Sequence, residues 1–219
     1  MIQQSILVTV DNVIFTIIDK KLQILLIERI VPPYKWYWAL PGGFVLDDES
    51  LEQAARRELR EETNVQNVYL EQLATFSDPH RDPRGRVITT AYMAICHQVD
   101  SVAMAWSDAA KAQYFSIKEL PTLAFDHLDI VKSAYKKIRS KLETTNVAQY
   151  FLSKFFTITQ LQSIYEVILG QHLDVRNFRK KILGLDIIKQ SDKKEVWVTH
   201  RPAKLYEFIN KEIEIKYAI

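Results

Sequence analysis

Residues 42–65 constrain the fold of this chain most strongly, because they combine a helix start with glutamates on the apolar face of that helix. Ser50 and Gln53 have the spacing of a capping box, which predicts that the helix begins there. At about 100° per residue, one side of the helix carries the apolar side chains of Leu51, Ala54, Ala55, Leu59 and Val65. The same spacing puts three carboxylates on that side, those of Glu58, Glu61 and Glu62.

Two interpretations of these glutamates are open. A glutamate-rich helix usually presents a solvated charged face, but such a face lies opposite the apolar stripe. Three carboxylates on a partly buried face repel one another and lose hydration. A divalent cation offsets both penalties, and an oxygen-only ligand set without Cys or His favours magnesium or manganese. The pattern therefore indicates a metal site that uses Glu58, Glu61 and Glu62.

The same stretch resembles the box of the Nudix hydrolases. The matching positions, at the family's spacing, are Gly43, Glu49, Arg57, Glu58, Leu59, Glu61, Glu62 and Val65. The departure is Asn64, which stands where the family has a second glycine. Asn tolerates a positive φ better than most residues, so we expect the loop–helix–loop to form.

The resemblance implies a role for each matching position. Glu58, Glu61 and Glu62 would hold magnesium with the carbonyl of Gly42, and one of these carboxylates would activate the attacking water. Glu49 would pair with Arg57 and hold the helix against its preceding loop. The substrate would be a nucleoside diphosphate joined to another group, which water would split at the diphosphate.

A second candidate segment, residues 77–86, joins two predicted strands and carries Arg81, Arg84 and Arg86. One interpretation is a polar hairpin loop built on Pro and Gly turns. The other is that these arginines bind phosphates bidentately. The run of Arg, Asp, Pro and Gly here resembles Nudix branches that handle ADP-ribose, which implies ADP-ribose or a related nucleotide sugar as the ligand.

The back of the chain has a different pattern. Thr159 is the predicted N-cap of one helix, which Gly170 ends, and Asp174 caps a second helix with Val175, Phe178 and Ile182 facing inward. Short strands follow at 187–189, 196–198 and 204–208, around a polar loop at 190–195. This order is typical of a winged helix-turn-helix.

The second of these helices is the predicted DNA-reading element. Its outer face carries Arg176, Asn177, Arg179 and Lys180. Arg and Asn read base edges in the major groove, and Lys neutralises phosphates. A basic solvated helix in a small docking domain is the alternative.

Both halves together resemble the NrtR family of Nudix-related transcriptional regulators. The family implies a repressor of NAD-metabolism genes that ADP-ribose releases from double-stranded DNA, with Arg201 in the wing as a further DNA contact. Many members keep only a degraded box, whereas this chain keeps every acidic position. Two functions therefore stay open, a repressor with a Nudix effector domain and a working ADP-ribose pyrophosphatase with an accessory helical domain.

Composition bounds the remaining expectations. Residues 1–143 hold 17 Lys and Arg against 19 Asp and Glu, whereas residues 144–219 hold 12 against 8. We expect an α+β chain with a Nudix α/β/α sandwich around a mixed sheet at 1–143 and a winged helix-turn-helix domain at 144–219. The single Cys96 indicates a reducing, cytoplasmic setting. No apolar run reaches the roughly 20 residues of a membrane span, and no signal peptide is expected.

DNA recognition sets the expected assembly. One winged domain reads only a half-site, so we expect a homodimer on a palindrome. The strands of the Nudix domain offer more apolar area for the dimer surface than the back domain does. The polar segment at 143–149 is the predicted link across which a ligand-driven movement would pass.

Overall fold

The computed structural model describes residues 5–63, 68–97, 111–194 and 203–209. The chain divides into two compact units, one of residues 1–18 and 22–135 and the other of residues 19–21 and 136–219. This division falls inside a helix, whereas the sequence places the domain boundary between residues 143 and 144.

The first unit is a mixed sheet with helices. Its elements are β1 (Leu7–Ile18), β2 (Lys21–Glu28), β3 (Trp38–Ala39), β4 (Gly42–Phe44), α1 (Leu51–Thr63), β5 (Tyr69–Phe76), β6 (Val87–Ile95), β7 (Ala112–Ser116) and the first half of α2 (His127–Thr144). The central order is β3-β2-β1-β6-β5, with β4 paired to β1 and β7 paired to β2. β1 and β6 run parallel and the remaining pairs are antiparallel, which confirms the expected mixed sheet.

β1 and β2 are neighbours in the sheet and are joined by a tight turn. Asp19 and Lys20 both have positive φ angles, of 50° and 56°. A two-residue loop with two positive φ angles matches the right-handed twist of the flanking strands. The long β1 that results is the strand to which both β4 and β6 pair.

Small residues allow α1 to lie close to this sheet. Ala54 and Ala55 are fully buried and pack with Val10 of β1 and Tyr92 of β6. One turn later, Leu59 packs into a second cluster with Ile14 and other side chains of the sheet. The last described residue of α1 is Thr63, so the expectations for Asn64 and Val65 lie outside the described residues.

The second unit contains the expected pair of helices and a hairpin. After a 3-10 helix at Val147–Phe151 come α3 (Ile158–Leu169), α4 (Val175–Gly184), β8 (Ile188–Lys194) and β9 (Lys204–Phe208). β8 and β9 pair antiparallel, and Phe156 forms an isolated bridge with Tyr206. β8 includes residues 190–194, which the sequence predicts as loop. The predicted strand at 196–198 and Arg201 lie outside the described residues.

The N-cap of α3 is Thr157, and the prediction of Thr159 was wrong. The Thr157 hydroxyl accepts from the Gln160 N–H at 3.1 Å, and the Gln160 side chain accepts from the Thr157 N–H at 2.8 Å. Gln160 is therefore the third helical residue of a capping box. The other two predicted caps are confirmed. α3 ends at Gly170, which has φ of 70°, and Asp174 caps the start of α4, where its carboxylate accepts from the Asn177 N–H.

Two further sequence expectations need correction. Val175 is 58% exposed, because it occupies the first turn of α4, while Phe178 and Ile182 are buried as predicted. The predicted polar link at 143–149 is partly helical and partly buried. α2 continues to Thr144, and Asn146, Val147 and Ala148 are buried. In the part of the chain that the structure describes, no helix has the length and hydrophobicity of a bilayer span.

Candidate functional site: the box carboxylates and the basic helix

α1 begins with the capping box that the sequence predicts. The Ser50 hydroxyl accepts from the Gln53 N–H at 3.3 Å, and the Gln53 side chain accepts from the Ser50 N–H at 2.8 Å. These bonds satisfy backbone donors that the first helical turn leaves without partners. They determine where the helix starts and therefore which face the glutamates occupy.

Arg57 joins the helix to the loop that precedes it. Its Nη2 and Nε donate to the two oxygens of Glu49 at 2.6 and 3.0 Å, and Nη2 also donates to the Phe44 carbonyl at 3.1 Å. The Arg57 hydrogen bond holds the pKa of Glu49 below its usual value. The Glu49–Arg57 pair implied by the Nudix resemblance is therefore present.

The same guanidinium lies between two box carboxylates. Arg57 Nη1 donates to Glu58 Oε1 at 2.7 Å and to Glu61 Oε2 at 3.2 Å. Glu58 is buried, and burial raises its pKa despite the contact with Arg57. The side chain of Glu61 is 46% exposed, so the prediction that all three glutamates share the buried side was wrong for Glu61.

Glu62 is the most perturbed carboxylate of the box. Burial, followed by the negative charge of Glu58, raises the pKa of Glu62 to about 8. Its Oε2 accepts a 2.7 Å hydrogen bond from the Gly42 N–H, so Gly42 contacts the site through its amide. The next glycine is required by close approach, because a Cβ at Gly43 would lie 2.2 Å from Glu58 Oε1. β4 and α1 thus bring the two glycines together with Glu58 and Glu62.

The chemistry of this group fits a hard divalent cation. Two adjacent carboxylates, the buried Glu58 and the half-buried Glu62 with its strongly raised pKa, form a site in which negative charge is disfavoured and a cation is favoured. Within the described residues, no three His, Cys, Asp or Glu side chains converge as a ready coordination shell. The positive charge among Glu58 and Glu61 is instead that of Arg57.

Arg81 is buried and directed toward carboxylates. Its guanidinium donates to both oxygens of Asp126, at 2.9 and 2.7 Å, and to Asp11 at 3.4 Å. His127 lies 3.5 Å from Asp11, and burial lowers the pKa of this imidazole. The Leu40 N–H donates to His127 Nδ1 at 2.9 Å, so that nitrogen is an acceptor. Arg81 thus connects the β5–β6 loop to β1 and to the start of α2.

Arg84 is held in place by Asp82. Nε and Nη2 of Arg84 donate to the Asp82 carboxylate, with a shortest distance of 2.6 Å. Burial alone would raise the pKa of Asp82, but the Arg84 bonds hold it below its usual value. The guanidinium lies 5.3 Å from the Phe44 ring centroid and 5.5 Å from that of Phe125. Nη1 makes no hydrogen bond to the described residues, whereas Arg86 donates to the Ser77 carbonyl.

Arg29 is a residue that sequence reasoning missed. Its guanidinium lies 4.8 Å from the Phe125 ring centroid. Burial and the charge of Arg84 lower the pKa of Arg29, while the charges of Asp82, Glu62 and Asp11 raise it. The charges of Arg84 and Glu62 therefore both act on the guanidinium of Arg29. A lone arginine at the end of β2 carries no local sequence signal for this position.

The four predicted DNA-reading side chains are exposed on α4, as the sequence indicates: Arg176, Asn177, Arg179 and Lys180. Arg176 and Lys180 make no ion pair with the described residues. Arg179 donates to the Tyr206 hydroxyl of β9 at 3.4 Å. This contact ties Arg179 to the hairpin and leaves Arg176 and Asn177 at the start of the helix as the more available pair.

Comparison with known proteins matches both units. The NUDIX domain profile matches residues 8–134, and that of the NrtR DNA-binding winged helix domain matches residues 148–208. The ADPR responsive transcriptional repressor NtrR of Acinetobacter baylyi is 35% identical over 97% of this chain and 86% of its own length. An ADP-ribose pyrophosphatase of Methanocaldococcus jannaschii is 43% identical over 53% of this chain and 68% of its own length.

Solved structures agree with these relatives. Shewanella oneidensis NrtR, complexed with a 27mer DNA, has a TM-score of 0.83 at 31% identity and covers 97% of this chain and 99% of its own. The NUDIX domain of the same protein, complexed with ADP ribose, has a TM-score of 0.57 at 36% identity, with coverage of 62% of this chain and 90% of its own.

The raised pKa of Glu62 predicts a pH-dependent stability. The folded protein keeps this proton to about pH 8, whereas the unfolded chain loses it near pH 4.5. Since the folded state binds the extra proton, the free energy of unfolding should fall between these pH values. In EDTA, the free energy of unfolding of Glu62→Gln should be higher than that of the parent by up to about 5 kcal/mol above pH 8 and equal to it near pH 4.5. Urea unfolding followed by circular dichroism measures this.

The matched control for that experiment is Glu52→Gln. Glu52 lies on the same helix and is exposed in an i,i+4 pair with Arg56. The Glu52→Gln variant should show the same dependence of the free energy of unfolding on pH as the parent. A Glu62→Gln profile parallel to the parent at every pH would show that burial does not perturb Glu62.

Proposed function

We propose that this chain, which belongs to the NrtR family of Nudix-type regulators, is a DNA-binding transcriptional repressor whose Nudix domain binds ADP-ribose. The observation that carries the proposal is the presence of both profiles in one chain that aligns along 97% of its length with an ADPR responsive repressor. The family's genes of NAD metabolism are the proposed targets.

The DNA-binding part of the proposal rests on α4. Arg176 and Asn177 occupy its first turn and are exposed, and in helix-turn-helix proteins this end of the second helix contacts base edges. Lys180 lies one turn later and is proposed to contact a phosphate. Arg179 and Arg201 are proposed as further phosphate contacts, with Arg179 positioned by Tyr206.

The effector part rests on the β5–β6 loop and its neighbours. Arg84 is oriented by Asp82 and flanked by two rings, which leaves Nη1 to donate to a phosphate oxygen without further ordering. Arg29 adds a second guanidinium nearby. Arg81 is proposed to hold neighbouring residues in place and not to contact the phosphate, because its guanidinium pairs with Asp126 and Asp11. Arg86 is proposed to bind at the rim of the site.

The assembly and location follow from DNA binding. A single winged domain reads a half-site, so we propose a homodimer that binds a palindrome. We also infer that the protein acts in the cytoplasm, where a bacterial regulator meets its DNA.

Substitutions in α4 test the DNA-binding proposal. Arg176→Ala should weaken binding to DNA from upstream of the chain's own gene by about 1–3 kcal/mol, because a base contact is lost. Lys180→Ala should weaken binding to all sequences and reduce the slope of log K against log salt by about one. Mobility shifts on specific and scrambled DNA at several salt concentrations measure both effects.

Lys132→Ala supplies a charge-matched control for Lys180→Ala, since Lys132 is exposed on α2 and pairs with Asp129. It should leave DNA binding unchanged. Parent-like binding by both α4 variants would exclude α4 as the reading helix.

Hydrolysis of the effector is a second proposed function, favoured by the retention of all box carboxylates. Glu58, Glu61 and Glu62 would hold magnesium or manganese together with Gly42, and the cation would neutralise charge on the diphosphate. Glu49 positions Arg57, and Arg57 holds Glu58 and Glu61 beside each other. One box carboxylate would accept the proton of the water that attacks phosphorus. The products of ADP-ribose would be AMP and ribose 5-phosphate.

Glu61→Gln tests this function with little risk to the fold, because Glu61 is half exposed. With magnesium, the parent should release AMP from ADP-ribose, and Glu61→Gln should reduce the rate to background. Glu52→Gln, on the exposed side of the same helix, should keep the parent rate. Chromatographic quantification of AMP measures each rate. If the parent forms no AMP with magnesium or manganese, the domain binds its ligand without cleaving it.

A further inference from the structure

The turn between α3 and α4 is bonded by two side chains of α3, Gln162 and Glu166. The Leu173 N–H donates to Glu166 Oε1 at 2.9 Å, and Gln162 Nε2 donates to the Leu173 carbonyl at 2.9 Å. Gln162 Nε2 also donates to Glu166 Oε1 at 3.2 Å, so these three residues form a closed ring of hydrogen bonds, which we call the turn clamp. None of the functional assignments above uses Gln162 or Glu166.

Helical spacing allows both side chains to reach the same backbone residue. Gln162 and Glu166 are four positions apart and therefore lie on one face of α3. This face binds both polar groups of the Leu173 backbone. Gln162 is 5% exposed, and a buried amide is costly unless it is hydrogen-bonded. The bonds of the turn clamp therefore determine the orientation of the Gln162 side chain.

Glu166 accepts in the turn clamp as an ionised carboxylate. The hydrogen bond from the Leu173 N–H is the main cause that holds the pKa of Glu166 below its usual value, and the bonds from Gln162 and His172 act in the same direction. His172 Nδ1 lies 2.8 Å from Glu166 Oε1, but this side chain is 84% exposed, and exposed pairs contribute little. The bonds of Gln162 and Leu173 therefore supply most of the restraint on the turn.

The turn clamp lies directly before the predicted DNA-reading helix. Leu173 precedes Asp174, whose carboxylate caps α4 by accepting from the Asn177 N–H at 2.8 Å. Arg176 lies three residues after Leu173, in the first turn of α4. A shift of the Leu173 backbone would therefore move Arg176 and Asn177, the two side chains proposed to contact base edges.

Apolar packing holds the body of α4 independently of the turn clamp. The buried rings of Tyr165 and Phe178 have centroids 5.2 Å apart, and Ile182 is buried one turn later. This packing sets how close α4 lies to α3, whereas the turn clamp sets the position of the first turn of α4. Loss of the turn clamp should therefore displace the first turn while the domain stays folded.

We propose that Gln162 and Glu166 are positioning residues that determine how well α4 discriminates between DNA sequences. This inference rests on the proposed DNA-binding function and names residues that act through Arg176 and Asn177. Bidentate contacts to base edges need a fixed side-chain geometry, whereas phosphate contacts carry no direct sequence information. The turn clamp therefore acts on sequence preference and leaves non-specific binding unchanged.

Substitution of Gln162 tests the proposal at constant charge. Gln162→Met keeps a similar side-chain volume and removes both donors of the turn clamp. The full chain is titrated with DNA from upstream of its own gene and with scrambled DNA of the same length. Gln162→Met should reduce the ratio of the two affinities by about 5- to 100-fold, the effect of losing a base contact. Its affinity for the scrambled DNA should equal that of the parent.

A pair of Glu166 variants isolates the hydrogen bond from the charge. Glu166→Gln and Glu166→Met both lack the carboxylate charge, but only Glu166→Gln keeps an oxygen that accepts from the Leu173 N–H. The affinity ratio of Glu166→Met should be lower than that of Glu166→Gln by about fivefold or more, since the base contacts lose their positioning. The Leu173 amide should exchange with deuterium faster in Glu166→Met and at the parent rate in Glu166→Gln.

Controls separate positioning from folding. Gln72→Met makes the same replacement at an exposed position of β5 and should bind both DNAs as the parent does. Thermal unfolding of each variant identifies any loss of fold. If Gln162→Met unfolds, the Glu166 pair decides, because the Glu166 side chain is 26% exposed and tolerates substitution more readily.

Two outcomes overturn the proposal. One is a parent-like affinity ratio in Gln162→Met and Glu166→Met, even with faster exchange of the Leu173 amide. The other is an equal loss of affinity for both DNAs, which would show that the turn clamp only stabilises the domain. Failure of the proposed function is distinct, because the parent itself would then bind both DNAs equally. That result would also overturn the inference, since the turn clamp would have no discrimination to support.

Discussion

The Nudix unit depends on how one guanidinium satisfies four acceptor groups. Arg57 contacts Glu49, Glu58, Glu61 and the Phe44 carbonyl, with donor–acceptor distances between 2.6 and 3.2 Å. It offsets repulsion among carboxylates that would otherwise open the start of α1, and it holds the preceding loop against the helix. The half-buried Glu62 accepts from the Gly42 amide and keeps a raised pKa. Contacts within the chain therefore position all three box carboxylates.

How much the sequence could predict depends on whether a signal is local. The capping box of α1 and the exposed face of α4 follow from spacing within one segment. The Glu49–Arg57 pair is implied by the resemblance of residues 42–65 to the Nudix box. Helical spacing indicates the side of the helix on which a side chain lies but not how far it is buried. For this reason spacing alone places Glu61 on the buried side. Thr157 and Thr159 are both possible N-caps by residue type, and the reciprocal bonds with Gln160 distinguish Thr157. These errors concern single positions and leave the fold unchanged.

Residues brought together from separate segments could not be predicted in this way. Arg81 was expected to bind phosphate, but its partners Asp11 and Asp126 come from β1 and the start of α2. Folding alone brings together Arg29, Tyr34 and Phe125, and no spacing rule relates these residues. The ligand side of the site is therefore a property of the sheet topology, whereas the metal side is a property of one helix and its loop.

ADP-ribose and DNA are proposed to bind this protein in competition with each other. A ligand shifts binding to DNA only if it prefers the DNA-free form, and linkage then requires DNA to weaken the ligand by the same factor. The most direct measurement is calorimetry with the α,β-methylene analogue of ADP-ribose, which water cannot split at the diphosphate. The analogue is titrated into the protein alone and into the protein saturated with DNA from upstream of its own gene. We predict a dissociation constant about 5- to 150-fold higher in the presence of DNA. Equal dissociation constants in the two titrations would contradict the account and exclude ADP-ribose as the effector that releases DNA.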